Sequence, residues 1–440
     1  MDSEAISFHD LRAVAKPPDT LFARSVMDLT TFCERAQPII DSVRNQGDEA
    51  LRRFARELDG VNAEGMAIRA EEAEFAAALD QVPPAVIRAI EHAADNIRRF
   101  HAAQMPEEMW LKQIEPGVWV GDRHIPIDSV ACYVPRGKGS FPSVVNMTAI
   151  PAIVAGVARA VIITPPGPDG RVDPGTLIAA RCAGVKEVYK CGGAQGVAAV
   201  AFGTETVPKC LKIVGPGSPW VLAAKRLLSN VIDPGINAGP SESIVLADES
   251  ADGALAALDL LIEAEHGADS SVYLVTSSPK VIEAARAALS DYWRQMQPQR
   301  AEFSRRVLCG KAGGMILTRD FSAAIEFVND FAPEHLEILA NEPLAVMGRI
   351  RNAGEVLLGR YTPITLGNYL LGINAVLPTG RHARTGSPLS VFDFMKRMSV
   401  GYVTADGYPG LAADARTLAT YEGFDAHARA VSPERDRFLK

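Results

Sequence analysis

Two short segments of the chain pair a carboxylate with an imidazole, the combination that metal binding and proton transfer require. Glu263 and His266 stand three residues apart at the end of a predicted helix, so we expect them to share one face of it. They could form half of a metal site. From these residues alone, the simpler interpretation is a solvated Glu with a His placed favourably against the negative end of the helix dipole.

The second segment holds Glu334 and His335 side by side, directly before a short apolar strand. An adjacent acid and base can divide the proton transfers of a reaction between two steps. The alternative is a capping Glu after the helix-stopping Pro333, with an incidental His. Two polar segments, 366–379 and 421–428, carry Asn368 and His427. The function of these segments cannot be inferred from their residue types alone.

Composition limits the kinds of partner. The chain has 440 residues, a formal net charge of −8 and a pI near 5.6, which argues against nucleic-acid or anionic-membrane partners and favours a small-molecule substrate. The six cysteines are scattered without a C-x-x-C pair, which is typical of a reducing cytosol. The acidic N-terminus and the lack of a long apolar run predict a soluble cytoplasmic protein.

The order of predicted elements indicates an α/β fold. Helical patterns fill most of 28–104, and from Asp128 onward strands and helices alternate in two successive sets. We therefore expect two Rossmann-like parallel-sheet domains in tandem plus a small helical C-terminal arm with no obvious sheet to join. The predicted domains are an N-terminal arm (1–21), a first α/β domain (22–130 with 242–385), a second α/β domain (131–241) and a C-terminal tail (386–440).

Glycine-rich turns follow three predicted strands of the second domain, at 137–140, 192–196 and 215–218. Their backbone N–H groups and the following helix N-termini could approach a diphosphate, and ligands of such sheets bind at the carboxyl ends of the strands. Tight turns also need glycine for geometry alone, and the usual dinucleotide fingerprint is absent. Tyr133 and Gln195 stand where side chains could hold a cofactor.

Taken together, these segments resemble the histidinol dehydrogenase family from about residue 30 to 431. The resemblance rests on motifs that recur in the family's order. They are Tyr-Val-Pro at 133–135, Gly-Gly-Ala-Gln at 192–195, Gly-Thr-Glu-Thr-Val-Pro at 203–208, Ala-Gly-Pro-Ser-Glu at 238–242, Ala-Glu-His-Gly-x-Asp-Ser at 264–270, Ala-Pro-Glu-His-Leu-Glu at 332–337, Leu-Pro-Thr at 377–379, Leu-Ser-Val-x-Asp-Phe at 389–394 and Glu-Gly-x-x-x-His-Ala at 422–428.

The resemblance implies a homodimer that uses one Zn²⁺ per subunit and NAD to oxidise an alcohol through the aldehyde to the carboxylate. It implies a site completed by the C-terminal tail of the partner subunit, which carries the positions Glu422 and His427. By position, the catalytic pair is Glu334 and His335. The implied zinc ligands are Glu263, His266, Asn368 and His427; the implied substrate contacts are Ser241, Glu263, His266, His335, Asn368, Glu422 and His427; and the implied cofactor contacts are Tyr133, Gln195 and Ser218.

Several residues depart from the family pattern. Glu263 stands where the family usually has Gln, and Asn368 stands where it usually has Asp, so the carboxylate has moved between ligands while the formal charge is kept. Ala375 replaces a usual His of the substrate pocket, and Ser218 replaces a usual Asn. We therefore expect a polar primary alcohol that need not be histidinol. The alternatives are an authentic L-histidinol dehydrogenase and a catalytically silent binding or regulatory paralogue.

Overall fold

The computed structural model of the protein describes residues 5–22, 24, 29–62, 65–136, 139–236 and 239–439. Two compact units divide the chain: the first comprises Met1–Gln104 and Asp128–Phe394, and the second comprises Met105–Ile127 and Met395–Lys440. The four domains predicted above remain a proposal. No helix of the described ranges is long and apolar enough to cross a membrane.

Parallel strands form both sheets of the first unit. One sheet has the order β1-β10-β9-β8-β11-β12, and the other has the order β6-β5-β4-β7. The strands are β1 (Phe8–Asp10), β2 (Met109–Glu115), β3 (Val118–Pro126), β4 (Ser129–Tyr133), β5 (Arg159–Thr164), β6 (Val188–Lys190), β7 (Lys212–Val214), β8 (Glu242–Ala247), β9 (Ser271–Thr276), β10 (Gly313–Leu317), β11 (His335–Leu339), β12 (Glu355–Leu358) and β13 (Met395–Val403).

Helices cover these sheets, and buried strands such as β8 and β9 are inaccessible along their whole length, as expected when a parallel sheet is covered on both faces. The helices are α1 (Thr30–Glu57), α2 (Glu72–Gln81), α3 (Pro84–Ala103), α4 (Pro142–Val154), α5 (Pro174–Ala183), α6 (Gly193–Phe202), α7 (Pro219–Leu227), α8 (Gly253–Ala264), α9 (Pro279–Gln295), α10 (Pro298–Leu308), α11 (Phe321–Phe331), α12 (Pro343–Met347), α13 (Ile364–Tyr369), α14 (Tyr408–Tyr421), α15 (Asp425–Ala430) and α16 (Pro433–Asp436). Short 3₁₀ turns occur at Asp19–Phe22, His382–Arg384 and Val391–Phe394.

The second unit consists of an antiparallel sheet, β13-β3-β2, and the C-terminal helices α14 to α16. The α/β class, the parallel sheets and the small helical C-terminal arm are confirmed. The expectation that the tail has no sheet to join is wrong, because β13 pairs with β3 along nine residues. β13 is largely exposed, so its sequence lacks the buried apolar alternation that predicts a strand.

Candidate active site

The strand β11 carries the predicted acid and base at its start. Helix α11 ends at Phe331, and its cap residue Ala332 has left-handed dihedrals (φ 54, ψ 66), an uncommon conformation for a residue other than glycine. Pro333 then prevents the helix from continuing, and Glu334 and His335 follow. The strained residue therefore lies two residues before Glu334, and such strain commonly accompanies function.

Glu334 and His335 are both buried, and their functional atoms face each other. Nε2 of His335 lies 3.8 Å from Oε1 of Glu334 and 4.0 Å from Oε1 of Glu263. The other oxygen of Glu334 accepts a 3.0 Å hydrogen bond from the backbone N–H of Glu242. The structure thus brings together two predicted catalytic residues and one predicted metal ligand.

Burial and charge shift the proton affinities of this pair. Burial raises the pKa of Glu334 to about 8; His335 opposes that shift and Glu263 adds to it. Burial alone would lower the pKa of His335, but the carboxylates of Glu263, Glu334 and Glu355 outweigh it and raise that pKa to about 10. Such strongly perturbed neighbours in one cavity are typical of catalytic groups.

Three of the four predicted metal ligands lie together in the first unit. Glu263 is on the last turn of α8, and its Oε2 lies 3.2 Å from Nδ1 of His266. Asn368, on α13, donates a 2.9 Å hydrogen bond from Nδ2 to Oε1 of Glu263. Helix α8 ends at Ala264, two residues before His266, but Nδ1 of His266 also lies 3.1 Å from the carbonyl of Ile262, so the two residues still face the same side.

This donor set fits a zinc ion. Burial would raise the pKa of Glu263, but His335, His266, Asn368 and Ser241 together lower it below its usual value, so the buried carboxylate is held ionised. A carboxylate, an imidazole and an amide oxygen are hard or borderline ligands suited to zinc. The carboxyl end of α8 also points its partial negative charge at the site, which favours a cation.

The remaining predicted ligand belongs to the second unit. His427 lies on α15 with its ring 5.2 Å from that of Phe424, and Glu422 caps α14; both are exposed. Among the described residues, no group of three or more His, Cys, Asp or Glu side chains could by itself hold a metal. The predicted zinc site would also need the amide oxygen of Asn368 and His427 from a second copy of the tail. That ligand set stays a prediction.

The predicted cofactor residues lie at the carboxyl edge of the four-stranded sheet. Tyr133 ends β4, and its hydroxyl accepts a 3.2 Å hydrogen bond from the N–H of Gly193. Gln195 donates from Nε2 to Asp59 at 3.3 Å, and the exposed Ser218 precedes α7. Residues 193–196 form the first turn of α6 rather than a separate loop, and Gly137 and Lys138 of the first predicted turn lie outside the described residues.

Glycine is required in the third of these turns. Gly215 has φ +112, and a Cβ there would lie 2.3 Å from the carbonyl oxygen of Tyr133. The close approach brings the 215–218 turn against the end of β4. Because α6 and α7 both begin at this edge, their N-termini favour an anionic group such as a diphosphate.

A cavity of about 270 Å³ joins the two sets of residues. The polar part of its lining contains Ser241, Glu263, His266, Glu334, His335 and Asn368, and the apolar part contains Phe141, Val144, Met147, Ala375 and Val376. Pro135 and Pro216 bring the cofactor edge to the same cavity. The polar part lies at the amino ends of β8 and β11, whereas the cofactor residues lie at the carboxyl ends of β4 and β7.

Sequence patterns missed two residues of this region. Glu355, the first residue of β12, places Oε1 2.5 Å from Nδ1 of His335 and is buried. Asp59, which follows α1, accepts a hydrogen bond from Gln195, and burial of Asp59 raises the pKa of its carboxyl group to about 6. Neither residue belongs to a motif with recognisable spacing, and only the register of β11 with β12 and the end of α1 bring them to the site.

Comparison with known proteins identifies the family. A family model described as histidinol dehydrogenase matches residues 22–434. "Histidinol dehydrogenase homolog 2" of Mesorhizobium japonicum is 60% identical over 99% of both chains, and a histidinol dehydrogenase of Synechocystis is 49% identical over 94% of this chain and 95% of its own. The crystal structure of histidinol dehydrogenase from Elizabethkingia anophelis covers 99% of both chains with a TM-score of 0.93 at 31% identity.

Members of this family are NAD-dependent oxidoreductases that oxidise an alcohol through the aldehyde to the acid. The family match, the identities and the shared fold all extend over nearly the whole chain. The chain therefore belongs to the histidinol dehydrogenase family.

Proposed function

We propose that this protein is a zinc- and NAD-dependent dehydrogenase that oxidises a polar primary alcohol through the aldehyde to the carboxylate. The observation that carries the proposal is the placement of His335 Nε2 within 4.0 Å of both Glu334 and Glu263 in one cavity. His335, Glu334 and the ionised Glu263 thus surround one point at which a small alcohol could bind.

In this proposal, His335 takes the hydroxyl proton at Nε2 while the hydride leaves the carbinol carbon for NAD. Glu334 then takes a proton from the water that attacks the aldehyde, and a second hydride transfer gives the carboxylate. Zinc held by Glu263, His266, Asn368 and His427 would act as a Lewis acid that orients the substrate and polarises its oxygen. Ser241 and Glu422 would contact the substrate.

The cofactor would lie along the carboxyl edge of the four-stranded sheet, against Tyr133, Gln195 and Ser218. The N-termini of α6 and α7 supply the positive potential that a diphosphate needs. Pro216 lies between Gly215 and Ser218 in the 215–218 turn and lines the catalytic cavity. A nicotinamide ring at this edge would therefore be near the substrate.

We further propose a cytoplasmic homodimer in which the tail of each subunit completes the other's site. The second unit supports this assignment because the strand β2 is exposed along its whole length. Ile114 and Tyr402 are 61% and 60% exposed. A sheet with this much exposed apolar surface is typical of an interface.

The test is NADH formation, followed by absorbance, with zinc-loaded protein and a panel of amino, sulfo and hydroxy alcohols. With the best substrate, Glu334→Gln and His335→Gln are each expected to lower turnover by about 100-fold or more, as loss of a general acid or base does. Glu326→Gln, an exposed change on α11, serves as the matched control. Binding of NAD with no effect of either active-site variant on turnover would contradict the assigned roles.

Authentic L-histidinol dehydrogenase is the second candidate, and the 49% identity to a histidinol dehydrogenase of Synechocystis favours it. Complementation of a histidine auxotroph separates the two candidates. Growth supports the histidinol activity, and failure to grow despite good expression eliminates it.

A further inference from the structure

Glu355 has no role in the chemistry described above, although it makes the shortest contact to the proposed base. It stands directly opposite His335 in the register of β12 with β11, and its Oε1 lies 2.5 Å from Nδ1. Both side chains are about 4% exposed. The contact is therefore shielded from water, where an ionic hydrogen bond is stronger than at a surface.

The chemistry of the two groups determines which ring nitrogen carries the proton. An ionised carboxylate can only accept a hydrogen bond, so Nδ1 of His335 must be the protonated nitrogen. In the neutral ring, which is the form that can accept a proton, Nε2 then carries the lone pair, and it is Nε2 that lies within 4.0 Å of Glu334 and Glu263. This is the tautomer that a base at Nε2 requires.

The second oxygen of Glu355 has no hydrogen-bond partner among the described residues, and it is buried. One oxygen contacts His335, and both oxygens lie against α13, where a Cβ on Gly367 would be 3.0 Å from Oε2 and 3.1 Å from Oε1.

Backbone contacts hold Glu355 in register with the catalytic pair. Its N–H donates to the carbonyl of Glu334 at 2.9 Å, and the N–H of Gly354 donates to the carbonyl of Pro333 at the same distance. The start of β12 is thus tied to the segment that carries Glu334 and His335, so the position of the carboxylate is fixed relative to both.

We propose that Glu355 is a positioning residue that holds His335 in the Nδ1–H tautomer. This proposal rests on the proposed function, in which His335 Nε2 is the base. Glu355 itself contacts neither the substrate nor the transferred hydride. Its effect on turnover passes through His335.

The kinetic test compares Glu355→Leu with Glu355→Gln. The Leu variant removes both the acceptor and the charge, and its kcat is expected to fall by about 100-fold or more with KM changed less than about three-fold; loss of the corresponding carboxylate of a Ser-His-Asp triad costs about 10⁴ in kcat. The amide of the Gln variant can donate to Nδ1 and favour the opposite tautomer, as in the Asp→Asn change of that triad, so its loss should be comparable. Equal kcat in all three proteins would overturn the proposal.

Glu337→Gln is the matched control because Glu337 is a buried carboxylate on the same strand, two residues after His335. Burial and the neighbouring Asp259 raise the pKa of Glu337, so the Gln variant resembles the neutral form already present at neutral pH. Its kcat should match that of the unchanged protein. A loss as large as that of Glu355→Leu would show that any change at this sheet edge impairs turnover, and would overturn a specific role for Glu355.

A spectroscopic test needs no activity. In protein labelled with ¹⁵N-histidine, the chain's eight histidines give two-bond ¹H–¹⁵N patterns that report the tautomer, and His335→Gln identifies the pattern of His335. An Nδ1–H pattern of the neutral ring that is lost in Glu355→Leu supports the proposal. An Nε2–H pattern in the unchanged protein, or the same pattern in Glu355→Leu, would overturn it.

The two measurements distinguish failure of this proposal from failure of the proposed function. If His335→Gln retains turnover, the proposed function is wrong, while the tautomer spectrum still decides whether Glu355 orients His335. If His335→Gln loses turnover but Glu355→Leu does not, the base assignment stands and the role of Glu355 is wrong.

Discussion

At the scale of single residues, the structure gives a physical basis to the exchange seen in the sequence. Glu263 and Asn368, which stand where the family resemblance leads us to expect an amide and a carboxylate, contact each other directly at 2.9 Å. The amide donates to the carboxylate, which helps to keep it ionised. A carboxylate and an amide at these two positions can form this hydrogen bond, whichever of the two positions carries the carboxylate.

The first prediction concerns this pair. Asn368→Asp would place two carboxylates in contact, and their repulsion should lower the melting temperature of the metal-free protein. Glu263→Gln should instead weaken zinc retention, because no carboxylate ligand remains. The double exchange should recover both properties, with a coupling on the order of 1–3 kcal/mol.

Melting curves of metal-free protein and zinc content after dialysis provide the two measurements. Additive effects of the two substitutions would show that the residues do not act as a pair.

Ala375 is the second residue with a testable consequence, since it lines the same cavity as Glu334 and His335. Ala375→His fills space and adds a polar ring, so the preference of kcat/KM for histidinol over the protein's best substrate should rise by at least about 10-fold. Steady-state kinetics with both alcohols measures the ratio. An unchanged ratio would exclude Ala375 from substrate selection.

At the scale of elements, the connection of α11, β11 and β12 is the part that positions the chemistry. Gly354 allows the backbone of β12 to approach Glu334, because a Cβ at this position would lie 2.5 Å from the Glu334 carbonyl oxygen. That atom is backbone and cannot move aside as a side chain could. The close approach fixes Glu334, His335 and Glu355 as one group.

The third prediction follows from this contact. Gly354→Ala should displace Glu334 and destabilise the fold by about 1–3 kcal/mol, the usual range for overpacking. The fall in kcat should also be larger than the loss of folded protein alone would cause. Gly348→Ala is the control, because its nearest neighbour would be the carbonyl oxygen of Ala345 at an ordinary 3.6 Å. Urea unfolding and kcat measure both effects, and equal behaviour of the two variants would contradict this account.

The elements that sequence could predict were those with strong periodicity or clear end signals. The strand β9 is a short run of mostly apolar and β-branched residues, and helix α5 begins at Pro174 after the N-cap Asp173 and ends at Ala183 before the left-handed Gly184. The strand β1 has three residues and the strand β13 is exposed, so neither carries a buried pattern. Glu355 could be assigned to a strand, but its contact with His335 depends on a pairing register that no local pattern encodes.

At the scale of the whole molecule, the proposed site is shared between subunits. The structure groups Glu263, His266 and Asn368 in the first unit, whereas His427 belongs to the second. If the tail of one subunit completes the site of the other, two different defective chains should restore each other.

The fourth prediction uses that property. Glu334→Gln and His427→Ala are each expected to be inactive. After the two proteins are mixed, unfolded and refolded together, about half of the dimers are mixed and hold one intact site of two, so activity should return to about a quarter of normal. Each variant refolded alone is the control. No recovery despite mixed dimers, shown by differently tagged chains, would contradict a shared site.

The most direct test of the central claim is the stoichiometry of complete oxidation. A limiting amount of the best alcohol is converted by the zinc-loaded protein with excess NAD, and NADH and products are measured together. We expect two NADH per alcohol and a carboxylate product, because His335 and Glu334 serve successive hydride transfers in one site. One NADH per alcohol with free aldehyde as the end product would contradict this expectation.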